Sequence, residues 1–297
     1  MTTDAQRFFS TSSLLAPFSR DDVLAGRIIK LNPALVTIID GHIMTTPPEE
    51  LQQRIEEQVV ALLAARIRTF HVDINFPDYG GFGAVRPETN VSVFTPGFLA
   101  RLSELVRAHG AYLNLHLLTE SPRERYRAFA HIPFGAVCFQ LDAIADRYEL
   151  AALVDTILTA GACASPVIET VGAGMKPPAE PQAVWELLEP TLPRIGMLTF
   201  QAAVTASRSN TPRGTFAADA LRAYIEAMRP DFTGVIQVQG GVTTRTVGEV
   251  VRLGAEFLVC GTEIFRHPQG HRPAEVIGEM LENAARSLVE AHIPTGG

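Results

Sequence analysis

Six residues of this 297-residue chain stand in pairs two apart within short apolar runs. They are His71 and Asp73 in FHVDI, Asn114 and His116 in LNLHL, and Gln237 and Gln239 in VIQVQ, the last followed by Gly240-Gly241. On a strand, residues two apart share a face, so each pair projects to one side. Two imidazoles and a carboxylate are a ligand set for a divalent transition metal such as Zn²⁺, Mn²⁺ or Fe²⁺. The plainer alternative is that each histidine is an interior residue bonded to protein partners, as buried polar groups ordinarily are. Spacing alone leaves both readings open.

The elements that must position these residues follow from the apolar pattern. Strand-like runs span Ile28–Asp40, Thr69–Ile74, Tyr112–Leu118, Ala136–Leu141, Ser165–Thr170, Arg194–Phe200, Gly234–Gln239 and Phe257–Cys260. Between them lie segments with helical spacing: Pro47–Arg66, Pro96–His109, a helix opening at Ser121-Pro122, Tyr148–Thr159, Glu180–Leu188, Phe216–Met228 and Thr244–Arg252. Strict alternation of strand and helix implies a parallel sheet with crossovers of one hand. Eight such units without an internal linker predict an α/β fold, a single (β/α)8 barrel over residues 28–297, preceded by an N-terminal extension, residues 1–27. That extension carries Phe8-Phe9 and Leu14-Leu15, which could cover the barrel base or a neighbouring subunit. In such a barrel the active face is the C-terminal end of the strands, where the three pairs fall.

Charge and composition narrow the function classes. Twenty-five Lys and Arg against 32 Asp and Glu give a net charge of −7, with 46% hydrophobic and 19% charged residues. That balance excludes a largely disordered chain and argues against coating nucleic acid, which needs a basic surface. Cys138, Cys163 and Cys260 are odd in number and lack CxxC spacing, so they read as buried free thiols of a reducing compartment, the cytoplasm. No run approaches the length of a membrane helix.

The ordered set LNPALVT (31–37), HVDI (71–74), NVSVFTP (90–96), NLHLL (114–118), QGGVT (239–243) and CGTEIF (260–265) resembles the ribulose-phosphate 3-epimerase family. The resemblance implies a metal-dependent barrel enzyme that epimerises the carbon next to a ketone in a pentulose phosphate. Two aspartates would serve as acid and base on opposite faces of an enediolate. Carried over by position, His71, Asp73 and His116 match three of four metal ligands, and Asp73 matches one acid/base. Thr37 stands where the family has a substrate-contacting serine, and Asn75 and Asn114 fall on the strand ends expected to face substrate.

The departures bear on mechanism. Gln239 occupies the position of the fourth ligand and second acid/base, and Asn75-Phe76 replaces a Met-Asp pair. A glutamine amide cannot titrate, although its carbonyl oxygen can still ligate a metal as a neutral donor. One carboxylate fewer leaves the site about one charge more positive, which favours an anionic ligand and weakens metal retention. Glu169 and Asp142 are the spare carboxylates nearest the expected mouth, each otherwise an ordinary loop or capping residue. For a phosphate, Gly240, Gly241, Gly261 and Thr262 supply backbone amides near the last two strands. The loop 201–216, with Arg208 and Arg213, replaces the family's glycine-rich segment, and Arg213 could grip an anion or be a solvated loop residue. Gly80-Gly81-Phe82-Gly83 lacks the context of a phosphate loop and reads as a connection or lid, Lys176 as a loop residue near the mouth, and Trp185 as core. The leading expectation is a sugar-phosphate epimerase working on a small phosphorylated sugar, as a homo-oligomer without nucleic-acid or membrane partners. The alternatives are a one-base ketose-phosphate isomerase or aldol-type lyase, and a non-catalytic phosphosugar-binding barrel.

Overall fold

A computed structural model of the chain describes residues 29–80, 89–171, 178–203, 216–267 and 269–291. Residues 1–27, Arg208, Arg213, Gly81, Phe82, Gly83 and Lys176 lie outside the described residues.

Eight parallel strands form one sheet: β1 Lys30–Pro33, β2 Thr69–Asn75, β3 Tyr112–Leu118, β4 Ala136–Gln140, β5 Cys163–Glu169, β6 Met197–Gln201, β7 Val235–Gln239 and β8 Phe257–Cys260. Their order, β1-β8-β7-β6-β5-β4-β3-β2, brings the two ends of the sheet together. The seam is closed by a single bridge between Ala34 and His71, with the Leu35 amide donating to the His71 carbonyl at 2.8 Å and Thr69 Oγ1 to the Leu31 carbonyl at 3.0 Å. The result is the (β/α)8 barrel that alternation predicts.

The helices around it begin where the local chemistry allows. After α1 (Val36–Ile39), α2 (Pro48–Ala64) starts with proline in its first turn, followed by Glu49 and Glu50, and buries Leu51, Ile55, Val59, Leu62 and Leu63. In α3 (Pro96–Ala108) the Thr95 hydroxyl accepts from the Phe98 amide at 3.2 Å. The helix opening at Ser121 is α4 (Pro122–Tyr126), short and without a side-chain cap from that serine. Asp146 caps α5 (Arg147–Thr159) through the amides of Tyr148 and Glu149. There follow α6 (Pro181–Leu188), α7 (Ala218–Met228), α8 (Val247–Arg252), the single turn α9 (Thr262–Phe265) and α10 (Pro273–Ala291).

Two features differ from the sequence expectation. The run Ile28–Asp40 does not stay extended: the strand ends at Pro33, and Val36–Ile39 folds into α1 across the barrel mouth. Its β-branched residues favour a strand locally, but after the seam bond from the Leu35 amide to His71 the amides of Thr37, Ile38 and Asp40 turn back onto the carbonyls of Ala34, Leu35 and Val36. The terminal helix α10 closes the chain against α8 and α9, an element the alternating pattern did not require.

Apolar residues of the outer strand faces and the helices form the main core. Inside the barrel the packing is largely polar above a base of Tyr112, Ala136, Cys163, Met197 and Phe257, where the Lys30 ammonium lies 5.1 Å from the Phe257 ring centre. Gln237 is the hub of the next layer. Its carbonyl oxygen accepts from Asn114 Nδ2 at 2.9 Å and Asn32 Nδ2 at 3.2 Å, and its nitrogen donates to Thr199 Oγ1 at 2.9 Å. Ser165 and Thr199 share a 2.7 Å bond, and Cys138 Sγ donates to Asn114 Oδ1 at 3.1 Å. The three cysteines are free and buried as expected, and burial pushes Cys138 up to about 11 and Cys260 up to about 12, so both stay as thiols. Among the described residues no helix is long and apolar enough to cross a membrane.

Replacing Gln237 by leucine would strip partners from two amide groups at once. At about 1–3 kcal/mol per unsatisfied buried group, Gln237→Leu is expected to lose at least about 2 kcal/mol of unfolding free energy. Urea denaturation followed by circular dichroism checks this, and an unchanged midpoint would contradict the hub role.

Candidate active site at the barrel mouth

The strand register sets Asp73 of β2 level with His116 of β3, and His71 one inward position deeper. Asp73 Oδ1 lies 3.0 Å from His71 Nε2 and 2.9 Å from His116 Nδ1, so one carboxylate oxygen meets both imidazoles. Both histidines are buried, whereas the Asp73 side chain keeps 17% exposure, on the side a ligand would approach. Burial by itself would raise the Asp73 pKa, but the combined charge and hydrogen bonds of His71 and His116 outweigh it and hold the carboxyl far below the usual range. The end of β2 is pinned from outside the barrel: Asn90 Nδ2 donates to the Asp73 carbonyl at 2.9 Å while Asn90 Oδ1 accepts from the Asn75 amide at 2.8 Å.

Gln140, at the end of β4, extends the cluster. Its Nε2 donates to Glu169 Oε1 at 2.7 Å and to the Tyr79 hydroxyl at 3.2 Å, so its Oε1 is the atom facing His116 Nε2 at 2.9 Å. That orientation has a consequence for His116. The His116 ring lies between two oxygen acceptors, Asp73 Oδ1 at Nδ1 and Gln140 Oε1 at Nε2, and a neutral ring has one proton for the two of them. A cation beside Asp73 would satisfy the other. Burial, together with the Glu169 and Asp142 carboxylates, pushes the Tyr79 phenol well above its ordinary value, so it stays protonated. Asp142 itself lies in the 3-10 turn after β4.

On the other side of the mouth, Gln239 Nε2 donates to Gln201 Oε1 at 2.6 Å, and Gln201 is oriented by its own bond to the Ala203 carbonyl. Gln239 Oε1 is left buried without a hydrogen-bond partner among the described residues. Gly240 and Gly241 have φ of +82° and +71°, and a Cβ at Gly240 would stand 2.6 Å from Gln201 Nε2. Glycine is required there to turn the chain tightly past β6. Gly261 precedes α9 and packs on Thr37, where any side chain would collide with the threonine hydroxyl; Thr37 thus lies at the mouth, beside exposed Thr262.

A protein-family model described as the ribulose-phosphate 3 epimerase family matches residues 48–265. The chain belongs to that family. A ribulose-phosphate 3-epimerase from Candida glabrata is 27% identical over 184 residues, a match covering 62% of this chain and 66% of that protein. Among solved structures, the tryptophan synthase alpha chain of Legionella pneumophila superposes with a TM-score of 0.60 at 12% identity, covering 100% of both chains. The 3-hexulose-6-phosphate synthase of Salmonella typhimurium gives 0.56 at 14%, covering 89% of this chain and all of the other. At such identities the likeness establishes the barrel fold.

Within this member of the epimerase family, the donor set fits a divalent metal. Ligands bonded at about 2.0–2.2 Å stand roughly 3–3.5 Å apart, close to the spacing of His71 Nε2, Asp73 Oδ1 and His116 Nδ1. His116, set between two oxygen acceptors, is an independent sign of such a fit. Asn114 is different: it is fully buried in the Gln237 layer, with its amide engaged by Gln237 and Cys138. Its shared face with His116 put it toward substrate in the sequence reading, but the barrel stacks it one layer below. Asn75 stands at the strand end with its backbone held by Asn90 and Thr89. The sequence reading missed Gln140, the lone amide ending β4, and Gln201, although Thr199 and Gln201 form a further polar pair two apart on β6.

The depressed Asp73 pKa makes a signed prediction for metal-free protein. A carboxyl whose folded pKa lies below its unfolded value of about 3.9 adds stability at neutral pH and loses it as pH falls through the acid range. Chelated wild type is expected to lose more unfolding free energy between pH 7 and pH 3.5 than chelated Asp73→Asn. Parallel urea titrations at the two pH values measure the difference, and equal losses would contradict the assignment.

Proposed function

We propose that the chain is a metal-dependent epimerase of a phosphorylated ketose, with His71, Asp73, His116 and the Gln239 carbonyl oxygen as the metal's ligands. The observation that carries this reading is the meeting of both imidazoles on one Asp73 carboxylate oxygen, a buried donor set that could hold a cation. When bound, a divalent ion would stabilise negative charge developing on the ketone oxygen. Asp73, ionised at neutral pH, takes the proton from the carbon beside the ketone. Inversion needs a second group to return a proton to the other face, and Gln239 cannot. Glu169 can: it is a buried carboxyl on β5 at the mouth, joined to His116 through Gln140. The Gln239 amide, held by Gln201, then orients substrate or metal without moving a proton. The substrate phosphate would lie against Gly240-Gly241 and Gly261-Thr262, near Thr37, with Arg213 supplying charge.

Solvent deuterium exchange on ribulose phosphate tests the roles together. Wild type is expected to incorporate deuterium beside the ketone and to form the epimer, and chelation to abolish both. Asp73→Asn should lose both, whereas Glu169→Gln should keep exchange while epimer formation falls by about 10²-fold or more. Full epimerisation by Glu169→Gln would remove that residue from the mechanism. The uncharged Gln239 favours a second reading, one-base isomerisation or aldol-type cleavage, which exchange without epimer in the wild type would support. No exchange with any pentulose or tetrulose phosphate would leave a phosphosugar-binding barrel.

The phosphate assignment has its own check. Arg213→Ala is expected to raise KM for the phosphorylated ketose about tenfold or more and to leave kcat nearly unchanged. An unaltered KM would place Arg213 outside the phosphate site.

A further inference from the structure

A second group of metal-binding side chains lies outside the barrel mouth. His267 and His271, in the segment between α9 and α10, stack face to face with ring centres 4.5 Å apart and planes within 8°. The Gly270 amide donates to the His267 carbonyl at 2.9 Å, and this turn brings the two rings together. Glu279 of α10 completes the group: one donor atom from each residue lies within 4.8 Å of the others. The helix start is fixed against the same segment by the Arg272 amide, which donates to Glu275 Oε2 at 3.0 Å. Glu275 and Glu279 are four apart and share a helix face.

We infer that His267, His271 and Glu279 form a second, surface-facing site for a divalent transition metal. Two imidazoles and one carboxylate select Zn²⁺, Co²⁺, Ni²⁺ or Cu²⁺ over Mg²⁺ and Ca²⁺, which take oxygen ligands. Tetrahedral ligands stand about 3.3 Å apart at zinc bond lengths, so the group must contract by up to about 1.5 Å and the two rings must tilt out of their stack to turn their in-plane lone pairs onto one ion. His271 and Glu279 are exposed and His267 half-buried, which leaves their side chains room to do so. The cost on His267 is small, because its Nδ1 holds only a 3.3 Å bond from the Gln269 amide. Three protein ligands leave coordination open to water.

The position gives the ion a structural task. Arg266, directly before His267, donates to the Thr37 carbonyl at 3.0 Å, to Asp40 Oδ2 at 3.2 Å and to the Asp40 carbonyl. An ion joining the 267–271 segment to α10 would therefore steady the arginine that holds α1, and with it Thr37, at the barrel mouth. The site shares no ligand with His71, Asp73 and His116, so it stands or falls apart from the proposed catalytic centre.

Titration calorimetry with Zn²⁺ alone on chelator-treated full-length protein tests it. His271→Ala is expected to bind one equivalent fewer than wild type with Kd at or below about 1 µM, and Glu279→Gln to bind that equivalent about tenfold or more weakly. His71→Ala should keep it. Because His271 and Glu279 are exposed, their variants should fold, and a Zn²⁺-dependent rise in Tm that shrinks in His271→Ala is the second readout. Equal stoichiometry for wild type and His271→Ala, or an equivalent that binds only at millimolar Zn²⁺, would overturn the site.

Discussion

Gln140 gives its nitrogen to Glu169 and Tyr79 and so has only its oxygen left for His116. That one orientation propagates through the mouth. It leaves His116 between two oxygen acceptors, Gln140 on one side and Asp73 on the other. His71 meets the same Asp73 oxygen from one layer deeper on the same strand, and Asn90 keeps the end of β2 from drifting. The group of His71, Asp73 and His116 is thus held by amides as much as by charges.

The same economy governs the barrel interior. Many barrels of this kind fill their centre with branched aliphatic side chains; this one uses asparagine, glutamine, threonine and serine in a layer where Gln237 bonds three strands at once. A buried amide is costly unless paired, and a paired one tolerates few alternative partners. The polar layer therefore fixes the strand register beneath the mouth, and through it the height at which Asp73 and His116 meet. The catalytic geometry rests on a floor that is itself hydrogen-bonded.

Much of this was legible before any coordinates. Period-two spacing identified His71, Asp73 and His116 because each pair lies within a strand, and alternation of strand and helix identified the barrel. The residues that escaped did so for a physical reason. Gln140 ends its strand as a solitary amide and Gln201 is paired at spacing two only with Thr199, and what makes them matter is which side chains the register sets beside them. Asn114 misled by the converse effect: it shares a face with His116, but the two occupy different depths. The run after Pro33 reads as strand from its β-branched residues, and the short-range bonds from Thr37 to Ala34 and from Ile38 to Leu35 that turn it into α1 leave no mark in the residue pattern. Glu169, recognisable merely as a spare carboxylate, gained a neighbour in Gln140 that no local pattern could supply.

The seam between β1 and β2 carries a meaning beyond closure. Elsewhere neighbouring strands are joined by ladders of three to seven paired residues, but here one bridge and a threonine hydroxyl do the work. That line carries the shortest pairing around the ring. The bridge falls on His71, whose ring lies beside Asp73 and His116 while its carbonyl latches Leu35. Breathing of the barrel and looseness of the site are for that reason a single motion, and a ligand that grips His71 also tightens the hoop.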